Sequence, residues 1–225
     1  MYFKKIIFAC ILLFIIKSIS AQPSNFRIGV RGGLNMSTAF VHDGNSKFKQ
    51  GYHIGGTVDY ALTQILELQS GLFFSKTGSI INGFNADSYI GGKPDHTFTF
   101  NTSYLKLPLY IAYRKNISGN MNFNTGLGPY FGYGIGGKTI QTLHSGVFGG
   151  SSTEREWDTF GSNEAIETLN RFDFGAGANA GVEFHKFVLG VGFETSIINV
   201  MYKKEYLNPF RYRNVNIGIF TGYRF

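Results

Sequence analysis

"VNIGIFTGYRF", residues 215–225, alternates from end to end. Val215, Ile217, Ile219, Thr221, Tyr223 and Phe225 fall on one side of an extended chain, and Asn216, Gly218, Phe220, Gly222 and Arg224 on the other. A period of two is the signature of a β-strand whose two faces meet different surroundings. Chain ends are ordinarily polar and frayed, so a final segment this apolar, with Phe225 as its last side chain, must be used by the fold.

The same pattern recurs upstream. "NFRIGVRGGLNM" sets Phe26, Ile28, Val30, Leu34 and Met36 against Arg27, Gly29, Arg31, Gly33 and Asn35, and "GYHIGGTVDYAL" sets Tyr52, Ile54, Val58 and Tyr60 against His53, Gly55, Thr57 and Asp59. "LELQSGLFF", "YLKLPLYIAYR", "MNFNTGLGPYFGYG", "RFDFGAGANAGVEF" and "FVLGVGFETSI" divide in the same way, which with the final segment makes eight predicted strands. Short turns near Thr63, near Ser118 and Gly119, and at His185 and Lys186 alternate with long polar links over residues 37–50, 79–101, 137–170 and 200–212. Tight turns at one rim and long loops at the other, with both ends of the chain on the short-turn side, describe an up-and-down antiparallel barrel. The only helical signal is a short one, "NEAIETL" capped by Ser162, in the third long link.

Alternation alone does not say which face is outside. The polar face consists of Gly, Asn and a few charges, too sparse to keep a barrel dissolved, whereas the other face carries Leu, Ile, Val, Phe and Tyr in every strand. Charged residues are 16% of the chain against roughly 25% in soluble domains. Hydrocarbon is therefore the expected bath of the apolar face. Phe26, Tyr60, Tyr113, Phe123, Phe184, Phe187, Tyr223 and Phe225 gather at the short-turn ends, where an aromatic girdle at the membrane boundary belongs. In hydrocarbon every backbone polar group must be paired within the protein, which an open sheet cannot do and a closed barrel can. Eight strands enclose a space just wide enough to be filled by side chains, so no general aqueous pore is expected.

Residues 1–21 read as a cleavable signal peptide: Lys4 and Lys5, the apolar run Ile6–Ile16, then "SISA" before cleavage after Ala21. That run is shorter than the ~20 residues of a membrane-spanning helix. The barrel domain then occupies residues 22–225. The leader holds Cys10, the single cysteine, so disulfides, thiolate metal sites and a Cys nucleophile are excluded from the mature chain. It also holds three of the 21 basic residues and none of the 14 acidic ones, leaving a mild net charge of +4 and scattered basic residues that do not suit nucleic acid.

Inward parity brings Arg27, Asp59, Glu67, Glu183 and Arg224 together near the short-turn end, a charge cluster expected to neutralise itself and brace the interior, because unpaired buried charges are expensive. Arg31, Lys106 and Glu194 are expected further from that end. "GYGIGG" (Gly132, Gly134, Gly137) and "GAGANA" (Gly175, Gly177, Ala180) imitate nucleotide-binding spacing but sit in strands, not at the strand-to-helix turn that a phosphate cradle needs. They read as small inward residues that make room for bulky ones. His42, His96 and His144 fall in the long links and His185 in a short turn. His53 faces inward, with Ser79, Ser103 and Ser196 as possible neighbours. No catalytic, cofactor or metal site is assigned on these patterns.

"LELQSGLFFSKTG", "YLKLPLYIAYR", "GLGPYFGYG", "RFDFGAGANAGVEF" and the ending "GYRF" resemble the PorT-like or "porin family" outer-membrane β-barrel domain over essentially the whole mature chain. The Leu-x-Leu-Pro-Leu segment with Pro108 carries most of the likeness; Lys106 stands where that family commonly has an acidic residue. The resemblance implies eight strands in the bacterial outer membrane and, for some members, a part in secretion. Barrels of this kind also resemble one another in a final strand read by the barrel-assembly machinery, and Val215, Ile217, Ile219, Thr221, Tyr223 and Phe225 fit it as an insertion signal. The expected protein is thus a non-enzymatic barrel bathed by outer-membrane lipid, with long surface loops for a protein partner or ligand. A lipid-modifying acyltransferase or deacylase is the alternative.

Overall fold

The computed structural model describes residues 25–41, 45–82, 95–145, 151–161, 168–202 and 211–225. The expected signal segment with Cys10, residues 22–24, His42, Ser162 and most of "NEAIETL" lie outside them. Ten strands carry the described chain: β1 (Phe26–Val41), β2 (Asn45–Ala61), β3 (Leu66–Asn82), β4 (Asp95–Ser118), β5 (Met121–Gly136), β6 (Lys138–Ser145), β7 (Ser151–Asp158), β8 (Phe172–Phe184), β9 (Phe187–Ser196) and β10 (Tyr212–Arg224). Eight of them close a barrel in the order β1-β2-β3-β4-β5-β8-β9-β10, all neighbours antiparallel.

The seam is β1 against β10. It runs from Gly29 opposite Arg224 to Val41 opposite Tyr212, and the Phe225 N–H extends it by donating to the Ile28 carbonyl at 2.9 Å. Pairing the first and last strands leaves neither with a loose edge, which satisfies the backbone without water.

Which way the strands face follows from accessibility. Val30, Leu34, Ile54, Leu72, Ile111, Leu127, Leu189 and Ile219 are exposed on the outside, while Asp59, Glu67, Lys106, Asp173 and Glu183 are buried inside. No water-soluble barrel turns leucine out and glutamate in, so the outer bath is hydrocarbon. On β3 the outward apolar positions run from Leu66 to Phe74 and stop at the exposed Lys76, close to the ~9–11 residues that span a bilayer. At the short-turn rim the girdle is assembled: Phe26 packs on Tyr60 at 4.7 Å, Phe187 on Tyr223 at 5.2 Å and Tyr223 on Phe225 at 5.6 Å between ring centroids.

Prolines in strands cost ladder hydrogen bonds, and here the cost is confined. β3–β4 pairing skips Gly71 and Leu72 opposite Leu107 and Pro108, and β4–β5 pairing skips Leu109 and Tyr110 opposite Gly128 and Pro129. The Ser70 hydroxyl donates to the Pro108 carbonyl at 2.9 Å beside that gap.

The described parts of the long links are mostly strand. β1 and β2 continue to Val41 and from Asn45, β3 and β4 continue to Asn82 and from Asp95, and β6 and β7 pair with each other, β6 lying against Asp95–Phe100 of β4. His96 and His144, expected in loops, have their backbones in β4 and β6. The physical reason is an inversion of faces. Below Ser103, β4 turns Leu105, Leu107, Leu109 and Ile111 outward; above it the outward residues are Asn101, Thr99 and Thr97, and the buried ones are Phe100 and Phe98. Past the membrane the outside meets water, so the apolar residues move in.

Their destination is a dry cap inside the outer rim. Ile81, Phe98, Phe100, Tyr104 and Tyr212 of the wall meet Phe160, Leu169, Val200 and Met201 from the segments flanking β8 and β9. Those segments are tied in series by backbone bonds: Thr159 N–H to Gly137 O at 3.1 Å, Leu169 N–H to Thr159 O at 2.7 Å, Asn170 N–H to Val200 O at 2.7 Å and Val200 N–H to Tyr212 O at 2.9 Å. Leu169, expected in the short helix, is extended and bridges Phe160 and Met201.

Candidate functional site

The interior is built in three levels. At the short-turn end lies an ionic floor. Period-two alternation points Arg27 of β1, Asp59 of β2, Glu67 of β3, Arg114 of β4, Glu183 of β8 and Arg224 of β10 into the same space. Arg224 Nη2 lies 2.7 Å from Asp59 Oδ2 and 3.7 Å from Glu67 Oε1, its Nη1 pairs with Glu183 Oε2, and Arg27 Nη2 pairs with Glu67 Oε2. All five residues of the sequence-derived cluster are brought together.

The sequence reading missed the sixth member. Arg114 Nη2 donates to Glu183 Oε1 at 2.7 Å, so the floor holds three guanidiniums and three carboxylates. The signal for it was parity, since Arg114 follows inward Ala112 by two. Gln69 Nε2 donates to Glu67 Oε1 at 2.7 Å and Asn179 Nδ2 to Gln69 Oε1 at 3.1 Å, carrying the network upward.

The middle level centres on Arg31. Its guanidinium carbon sits 4.3 Å from the Phe73 ring centroid and 4.6 Å from that of Phe220. Cavities of about 40 and 50 Å³ lie on either side, sharing Arg31, Tyr110, Asn179 and Phe220 as walls. Lys106 Nζ donates to Glu194 Oε2 at 2.5 Å in the upper cavity. His53 Nδ1 is 2.7 Å from Asn35 Oδ1.

None of Ser79, Ser103 and Ser196 is hydrogen-bonded to His53; the serine opposite it is Ser75, whose hydroxyl accepts from Asn35 Nδ2 at 3.3 Å. The Ser79 hydroxyl is 2.8 Å from the Tyr212 hydroxyl, the Ser196 hydroxyl donates to Asp173 Oδ1 at 2.7 Å, and Ser103 stands on the outward side of β4. Asp173 is further held by Asn214 Nδ2 at 2.9 Å and the Tyr130 hydroxyl at 3.2 Å, beneath the cap. Among the described residues no group of His, Cys, Asp and Glu could hold a metal ion.

The glycine stretches act by size. A Cβ on Gly134 would fall 2.4 Å from the Phe160 ring, and one on Gly177 2.1 Å from the Tyr110 hydroxyl. Gly132, Gly134, Gly175 and Gly177 face inward as expected, but Gly137 lies in the break between β5 and β6 and Ala180 faces out. At the water-facing β6–β7 pair, Lys138 Nζ is 3.1 Å from Asp158 Oδ1; that hydrogen bond and charge raise its pKa above the ordinary lysine value.

The proposed C-terminal signal residues line the outer side of the seam. Val215, Ile217, Ile219, Thr221 and Tyr223 stand opposite Thr38, Met36, Leu34, Gly32 and Val30. Thr221, the polar member, turns its hydroxyl back to the Val188 carbonyl at 3.2 Å.

No curated protein matches the sequence. Among solved structures, Neisserial surface protein A is similar at 12% identity and a TM-score of 0.40, over 90% of this chain and 98% of that one. OprG from Pseudomonas aeruginosa is similar at 10% identity and a TM-score of 0.44, over 90% and 97%. Ail, the attachment invasion locus protein of Yersinia pestis, is similar at 16% identity and a TM-score of 0.36, over 88% and 98%. The profile of the outer membrane protein beta-barrel domain matches residues 20–202, which includes all of the barrel except its last strand and the approach to it. The chain, an eight-stranded barrel with its apolar side outward, belongs to the outer membrane protein beta-barrel domain family and resides in the outer membrane.

Proposed function

We propose that this is a non-enzymatic outer-membrane barrel, closed to through-flow, whose raised outer wall receives a protein partner or ligand. One observation carries the reading: the interior is stopped at both ends by different chemistry, with paired charges below and the buried cluster of Phe100, Tyr104, Phe160 and Leu169 above. A channel would need neither stopper. The wall above the membrane, from β2 across β3 and β4 to the β6–β7 pair, instead offers a paired sheet with Thr97, Thr99 and Glu154 on its water side.

The resemblance of "YLKLPLYIAYR" to PorT-like barrels supports an accessory part in secretion, with the partner meeting that wall. A photo-crosslinking residue at Glu154 in intact cells is expected to capture a defined surface or secretion protein. Absence of any adduct there and at Thr142 would remove the partner role. In a planar bilayer the purified barrel is expected to be silent, and steady ion conductance would overturn closure. For the lipid-modifying alternative, labelled outer-leaflet lipid is expected to remain unchanged; turnover lost in His53→Ala would replace the non-enzymatic reading.

A further inference from the structure

Of the four guanidiniums inside the barrel, those of Arg27, Arg114 and Arg224 are matched to carboxylates. Among the described residues no carboxylate lies within ion-pair distance of Arg31, and its Nε has no hydrogen-bond partner in the protein. Phe73 and Phe220 flank it, and an aromatic face attracts a cation without neutralising it. A guanidinium without a contacting carboxylate at mid-depth in a membrane barrel is costly.

The cavity between Arg31 and the floor meets that need. It measures about 40 Å³, and a water-sized particle requires only about 10–15 Å³. Asn124 also lines it, is buried, and has an Nδ2 without a protein partner. Two residues with an unpartnered donor, one of them cationic, therefore line one small chamber. The acidic group on its wall, Asp59, is engaged by Arg224. In the upper cavity Glu194, although paired with Lys106, would repel an anion, and Asp173 lines neither cavity. In the floor the side chains of Arg27 and Arg114 remain 26% and 25% exposed, whereas the cap residues are buried.

We propose that the lower cavity is a binding site for a small monatomic anion of the halide class, held between the Arg31 guanidinium and the Asn124 amide. Accompanying water would donate to the unpartnered Asn179 Oδ1 on the same wall. The site stands independently of the partner role, since it concerns the interior and not the outer wall.

The test uses the full folded barrel crystallised from sodium bromide, with anomalous scattering locating the ion. The expected result is a bromide peak touching Arg31 and Asn124, lost in Arg31→Met and weakened in Asn124→Ala, with both variants keeping the wild-type shift in gel mobility on boiling. Bromide confined to the surface, a cavity peak unaffected by Arg31→Met, or cavity density without anomalous signal would overturn the proposal. A second readout covers a variant that fails to fold. Bromide at 100 times its Kd should raise the wild-type folded-to-unfolded ratio about 100-fold over gluconate, an anion too large for the cavity, at equal ionic strength. Equal stabilisation by both salts would also overturn it.

Discussion

Arg224 Nη2 and Asp59 Oδ2 lie 2.7 Å apart although β1 separates their strands in the wall. The bond spans the inner face of β1, and the same guanidinium reaches Glu183 on β8 and Glu67 on β3. The last strand is thus fixed by its ladder to β1 and β9 and also by charges from strands that it does not touch.

Arg224→Met should therefore be severe. Removing one partner of a buried charge network leaves the others unpaired, at about 3–5 kcal/mol. Arg114→Gln should cost less, about 1 kcal/mol, because its side chain is partly exposed and Glu183 keeps Arg224. Urea unfolding of the folded barrel in detergent measures both, and equal effects would show that the floor is not organised around Arg224.

Leu127, 70% exposed near the middle of β5, reports the bath. Leu127→Arg should destabilise the barrel in a phospholipid bilayer by about 2–4 kcal/mol, the depth-dependent cost of a lipid-facing arginine. A neutral effect on reversible unfolding in vesicles would mean that this face meets water.

The cap has a built-in reporter. Trp157 is the only tryptophan, and its ring is 6.3 Å from that of Phe98, against the cap. Phe160→Ala should loosen the cap by about 3–5 kcal/mol, as for a buried Phe elsewhere. Trp157 emission should then move to longer wavelength at lower urea than the loss of strand signal, whereas coincident transitions would show that cap and wall unfold as one unit.

Phe225 contributes a backbone bond to Ile28 and a ring against Tyr223 at the rim. We expect Phe225→Ala to lower the heat-modifiable, membrane-assembled form several-fold while export continues. Unchanged assembly would separate the seam from any role as an insertion signal.

The membrane-spanning half was legible because lipid outside and charge inside give each strand one unvarying alternation; Leu105 to Tyr113 and Val215 to Phe225 show it directly. The outer half was not. In "HTFTFNTS" Thr97, Thr99 and Asn101 face out and Phe98 and Phe100 face in, so the rule that worked below Ser103 misassigned this stretch as loop. Arg114 was readable by counting on from Ala112. The fit of Phe160 over Gly134 depends on a chain reversal between residues far apart in sequence, which local periodicity does not encode.

The change of faces at Ser103 has a mechanical consequence. If the cylinder rode outward by a turn of the wall, leucines would be wetted; if it sank, threonines and Lys76 would enter oil. Either displacement is opposed by solvation alone, so the molecule has a preferred draught, and whatever contacts its outer wall is held at a fixed height above the lipid headgroups.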